Sequence, residues 1–238
     1  MDIGLILSAF QRTLGQVHDR RFLRVLGLGV GLTFALLVAA YAAVLWLLQT
    51  LMGPEATLPL IGTVTWLDDL VGWSSLLLML ILSVFLMIPV ASAITSMFLE
   101  TVADAVEDRH YPALPDVAPV PFGDALRDTV NFLGVLIAAN TLALFVYAFV
   151  FWIPFAPLAL FWGLNGFLLG REYFTLAAMR REGRARAKEL RRQHAMTIWA
   201  AGILMAIPLS IPIMNLLIPI LGAATFTHIY HGVKPRGS

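Results

Sequence analysis

The chain has 238 residues, 59% of them hydrophobic and 13% charged, with a formal net charge of +1. A mean hydropathy of +0.83 and about half the charge of a soluble domain exclude an ordinary water-soluble fold and point to a single polytopic membrane domain. The absence of cysteine excludes disulfides, thiolate chemistry and Cys-ligated metals, and the small net charge supplies no global field for nucleic acid.

Met1-Asp2-Ile3 carries an acid where a signal peptide carries lysine or arginine, so targeting is expected through the first membrane helix. Ile3, Leu7, Phe10 and Leu14 fall on one helical stripe, the pattern of a short helix lying in the membrane interface. Three arginines follow, Arg20, Arg21 and Arg24, directly before an apolar run. They read either as a positive-inside anchor or as an anion site, where guanidinium forks join the free N–H groups of a helix start. Residues 1–24 are thus an interfacial helix and a basic entrance.

Leu26–Leu51 is the first span, with Gly27 and Gly31 at the spacing of close helix packing. A weak pattern in 52–72 admits a second interfacial helix. From Leu70 to Leu99 no charge occurs, a run of about 30 residues or roughly 45 Å as helix, enough to cross a bilayer. The run starts near Trp73 and passes into Glu100, Asp104 and Glu107, spaced i, i+4, i+7 on one face. One helix over Val71–Glu107 is expected, bent at Pro89, crossing lipid first and ending in water. No Lys or Arg lies between Arg24 and Arg109, so both ends of this 25–108 helix pair face the cytoplasm.

Prolines 112, 115, 119 and 121 make 108–121 a loop. Residues 122–170 are an apolar pair broken at Ile153-Pro154-Phe155-Ala156-Pro157, whose second limb of about 13 residues, roughly 20 Å, is short for a crossing. Arg171–Arg192 holds eight Lys/Arg and reads as part of a basic cytoplasmic link over 171–194; nucleic-acid binding is the lesser reading, because aromatics are lacking beyond Tyr173 and Phe174 and the block sits between membrane segments. Residues 195–230 form a second apolar pair, broken by Pro208, Pro212, Asn215 and Pro219. Each pair either crosses twice thinly or dips in and returns; such broken helices usually mark a binding or conduction path. Asn215 reads equally as a cap on a half-helix or as a lining residue.

Taken together, these residues resemble the CysZ-type sulfate permeases of bacterial inner membranes, which have distant relatives in the eukaryotic endoplasmic reticulum. The resemblance rests on Arg20-Arg21-Phe22 before the first span, Phe98 and Asp104-Ala105-Val106-Glu107 ending the long helix, and Glu172-Tyr173. Its best segment runs from Ile207-Pro208 through Ile211-Pro212-Ile213-Met214-Asn215-Leu216-Leu217-Ile218-Pro219 to Gly222-Ala223-Ala224-Thr225. The family's Pro-Gly before the arginines is His18-Asp19 here, and an acid at that place is expected to weaken dianion binding. Met97-Phe98-Leu99 and Thr175-Leu176-Ala177 also replace family patterns.

The resemblance implies an all-α integral membrane protein with two long transmembrane helices, two partly penetrating helical hairpins and a homo-oligomeric assembly in lipid. It also implies sulfate binding at the arginine pair, with Arg24 beside it, and an inner-membrane sulfate or oxyanion transporter supplying sulfur assimilation and cysteine synthesis. Both termini are placed in the cytoplasm. No P-loop exists, so movement is passive or ion-coupled, and the absence of acids within the spans favours a passive path. The alternative is a non-transporting scaffold or regulator acting through 171–192. An enzyme is not expected: the histidines at 18, 110, 194, 228 and 231 are scattered, only His228 and His231 sharing a face, and no metal ligand set, Ser/His/Asp signature or cofactor site is legible.

Overall fold

The computed structural model describes residues 1–52, 57–58, 62–63, 98–115, 117 and 122–234. Trp73, Pro89 and the lipid-crossing part of the expected second long helix lie outside these residues, as do Pro119, Pro121 and Arg236. The chain is all-α: α1 Ile3–Gly15, α2 Arg20–Met52, α3 Leu99–His110, α4 Phe122–Val150, α5 Ala156–Gln193, α6 Ala195–Ala206 and α7 Ile218–Val233. A two-residue antiparallel pair, β1 Thr57–Leu58 with β2 Gly62–Thr63, stands in the connection after α2, where an interfacial helix was an option.

Helix α1 starts at Asp2, whose carboxylate accepts the Leu5 N–H at 2.9 Å and so satisfies one free donor of the first turn. Of the apolar stripe seen in the sequence, Ile3, Leu7 and Leu14 point outward, each more than half exposed, while Phe10 packs against the core. A second stripe, Ile6, Ala9 and Thr13, is buried instead, and Thr13 Oγ1 accepts a hydrogen bond from Thr225 Oγ1 of α7 at 3.1 Å. Two apolar faces on one short helix serve two surroundings, a protein core and whatever lies outside.

α2 is held to the core by its first turns, through buried Phe22 and Val25. Farther along, Leu28, Leu32, Phe34, Leu36, Val38 and Trp46 are exposed. Nothing among the described residues comes within 4 Å of a Cβ placed at Gly27 or Gly31, so the close packing expected there has no described partner.

The centre of the molecule is α7. Ile218, Pro219, Ile220 and every residue from Gly222 to Tyr230 are buried, which for a helix means neighbours on all sides. Gly222 lies so close under the Tyr173 ring that no side chain fits there. Along the α5–α6 seam a Cβ on Gly166 would stand 2.6 Å from the Ile203 nitrogen and one on Gly170 2.7 Å from the Ile198 carbonyl oxygen. Gly202 meets Gly166 on the other side of the seam, so here three glycines bring two helix backbones into direct contact.

Both proline-rich breaks are real interruptions. α4 and α5 join through residues 151–155, with Phe155 in the left-handed region at φ 64°, a conformation that costs a non-glycine residue energy. Between α6 and α7 lie two 3-10 turns, Ile207–Ser210 and Pro212–Leu216. Pro157 and Pro219 occupy the opening turns of α5 and α7, where a missing N–H leaves no bond unmade; these prolines start helices rather than break them. α6, with 12 residues, and α7, with 16, are about 18 and 24 Å long.

The basic segment is helical and packs back on the molecule. It continues α5 as helix, reverses at Gly183 (φ 74°, ψ 172°) and resumes to Gln193. Ala187 and Leu190 of the returning part are buried.

Candidate functional site

The arginines expected to meet an anion stand at the first turn of α2. Asp19 precedes them and behaves as an N-cap: its Oδ1 accepts the Arg21 N–H at 2.8 Å. Its other oxygen accepts from Gln16 Nε2 at 3.1 Å, and that buried amide also donates to the Ala105 carbonyl of α3 at 2.9 Å. The free N–H positions that an incoming dianion would use are thus partly taken by an internal carboxylate.

The Arg21 guanidinium donates to Asp108 of α3 at 2.6 Å. Arg20 and Arg24 are exposed, lie one turn apart on the same face, and have no ion-pair partner among the described residues. The structure therefore separates the three arginines. Arg21 ties α2 to α3, while Arg20 and Arg24 remain available to an anion.

The acidic face of α3 has a different destination from the one its spacing suggested. Glu100 is exposed, as expected for turns standing in water, but Glu107 is 4% exposed. The reason is a set of donors converging on it from two other helices. Arg181 of α5 grips it with both prongs, Nε to Oε1 at 2.8 Å and Nη2 to Oε2 at 2.7 Å. His231 Nε2 of α7 donates to Oε1 at 2.9 Å, and Arg180 Nη1 stands 3.7 Å from Oε2 while its Nη2 bonds Asp104. Burial pushes the Glu107 carboxyl up, but the Arg181 and His231 hydrogen bonds and the Arg180 charge outweigh it and hold it down at about 2. A second pair closes the same layer: Glu182 accepts from Lys234 at 2.7 Å and from Tyr230 Oη at 2.9 Å.

Sequence reading missed the grouping beside it. His110, His228 and His231, three of the scattered histidines, gather around Tyr111. The Tyr111 hydroxyl and His228 Nδ1 are 3.1 Å apart, and the rings of His110 and His228 meet edge to face with centroids 4.8 Å apart. The only cue was the i, i+3 spacing of His228 and His231; nothing in the chain order places His110 there.

At the break between α6 and α7, Pro208 begins the first 3-10 turn, Pro212 the second, and Pro219 the following helix. Asn215 sits in the second turn with a buried side-chain oxygen that has no hydrogen-bond partner among the described residues. Trp162 of α5 donates through Nε1 to Ser210 Oγ at 3.1 Å, joining the two broken hairpins.

Among the described residues the stretch Arg20–Ala39 is long and apolar enough to cross a membrane, with a mean hydropathy of 2.1. Shorter apolar helical stretches run over Gly134–Val150 and Ala195–Ser210. Compared with known families, residues 9–219 match the one described as "Sulfate transporter CysZ/Etoposide-induced protein 2.4". No curated protein and no solved structure matches the chain.

Proposed function

The chain belongs to the sulfate transporter CysZ/etoposide-induced protein 2.4 family, and on that premise we propose that it is a membrane transporter or channel for sulfate or a related oxyanion. The family match over residues 9–219 carries the reading, because it spans the arginine entrance, the first broken hairpin and the second as far as the first residues of α7. The structure adds support. The apolar side chains of α2 and of the α4–α5 tip, among them Phe149, Trp152 and Phe155 at 80% or more exposure, are turned outward, the arrangement of a protein solvated by lipid. Helices α6 and α7 are shorter than a bilayer core of about 30 Å, which favours hairpins that enter and return over full crossings.

In this reading Arg20 and Arg24 recruit the dianion at the cytoplasmic face of a bacterial inner membrane, and Asn215 and the 3-10 turns border the route. The chain works as a homo-oligomer in lipid, with both termini cytoplasmic, feeds sulfur assimilation and cysteine synthesis, and catalyses no reaction. Movement is passive or ion-coupled. A scaffold acting through 171–192 fits less well, since Arg180 and Arg181 are already engaged inside the molecule.

Labelled sulfate uptake into proteoliposomes tests the proposal. Arg20→Ala with Arg24→Ala should lower uptake about tenfold, as loss of charge-assisted bonds to a dianion does. Equal uptake with and without these arginines, or none by the unaltered protein, would sink it.

A further inference from the structure

The reversal at Gly183 brings together residues that chain order keeps apart. In a straight helix Arg191 would stand about 24 Å from Thr175. Here Arg191 Nη1 donates to Thr175 Oγ1 at 3.0 Å, and the same hydroxyl donates to the Arg171 carbonyl. The Arg191 side chain is half-buried at this fold-back, and Arg171 and Arg192 are close enough for their charges to act on it. Burial first, and then these two like charges, lower the Arg191 pKa from the ordinary arginine value.

No carboxylate among the described residues relieves this. α5 contains three acids. Glu182 is held by Lys234 and Tyr230, and Glu189 by Arg186 at 2.8 Å and Gln193 at 3.0 Å. Glu172 is no strong counter-ion, because burial pushes its carboxyl up to about 7. Arg191, half-buried at the fold-back within range of two like charges and without a paired carboxylate, is costly to keep charged there unless an anion from outside joins it.

We propose that Arg171, Thr175, Arg191 and Arg192 form a binding site for a phosphate- or sulfate-type oxyanion, separate from the arginines of α2. Planar guanidinium forks match tetrahedral oxyanions, and Thr175, which accepts from Arg191 and donates to the Arg171 carbonyl, holds the Arg191 fork at that point. The site follows directly on the apolar stretch that ends at Gly170, the level at which a phospholipid headgroup presents its phosphate. The oxyanion comes either from such a headgroup or from solution. The headgroup source rests on the membrane reading above; the soluble source does not.

The test uses the purified full chain in zwitterionic detergent. Thermal unfolding is followed while inorganic sulfate or phosphate is titrated against chloride at constant ionic strength, and again in nanodiscs of phosphatidylglycerol against phosphatidylcholine. The unaltered protein should be stabilised by the soluble anions, by phosphatidylglycerol, or by both, and the arm that responds names the source. Arg171→Gln with Arg191→Gln should weaken the soluble anion at least tenfold or abolish the phosphatidylglycerol shift, while Arg186→Gln, an arginine of the same segment paired with Glu189 on the surface, leaves the response in place. Should the double glutamine variant not fold, Arg191→Lys, which keeps the charge and loses the fork, should still weaken the response severalfold. The proposal is overturned if neither probe stabilises the unaltered protein, or if the response survives the 171/191 changes. Loss of sulfate flux with this response intact would sink the transport reading alone.

Discussion

Two groups of arginine on α5 contrast sharply. Arg180 and Arg181 are 6% and 11% exposed, and both are neutralised by α3, through Asp104 and Glu107. Arg171, Arg191 and Arg192 sit at the other end of the same segment with hydroxyl and carbonyl neighbours and no acid paired to them among the described residues. In the sequence all five belong to one basic run and look alike. The difference lies in what the rest of the fold brings to them: α3 delivers its acids to one end and nothing to the other. The neutralised end is architecture, because it holds α3, α5 and α7 together; the unneutralised end is open to a ligand.

The strongest way to break this contrast is Glu107→Gln. It removes the charge on which Arg180, Arg181 and His231 converge and leaves buried cations uncompensated, so unfolding should cost about 3–5 kcal/mol less. Thermal unfolding in detergent measures it, and a change below about 1 kcal/mol would show that the cluster is not structural.

Acid titrates the same contact. The folded Glu107 carboxyl, at about 2, lies below its ordinary value of 4.5, so its contribution is complete above about pH 4.5 and is lost as pH falls from there toward 2. Stability measured across that window should decline in the unaltered protein and be flatter in Glu107→Gln. Equal slopes would contradict the assignment.

The smallest effect is expected at the other end. Arg191→Gln in chloride buffer removes one of three mutually repelling charges and retains a donor for Thr175, so stability should change by no more than about 0.5 kcal/mol. A loss as large as that of Glu107→Gln would mean that both ends serve the architecture equally.

How much of this was legible beforehand varies by residue. The helical stripe of α1, the start of α2 and the interruptions at 151–155 and 207–217 follow from local rules, namely periodicity, caps and proline. The i, i+4, i+7 spacing placed Glu100, Asp104 and Glu107 on one face, but spacing carries no information about what packs there. That depends on Arg180 and Arg181, 74 or more residues away in sequence. The central place of α7 was hidden for a related reason: Gly222, Thr225, Thr227 and His228 dilute its apolar character, and only its neighbours make it buried. Gly183 gave no sign of a reversal within a run of good helix formers. For the same reason, the arginine groups could not be told apart before the fold was known.

The glycine seam between α5 and α6 has a mechanical consequence. With Gly166, Gly170 and Gly202 set backbone against backbone, neither helix can slide along the other without colliding with main-chain atoms that have no room to yield. The two limbs therefore travel as one stiff plank. Any opening and shutting of a passage has to be taken up at its ends, in the 3-10 turns of 207–217 and at the Phe155 corner.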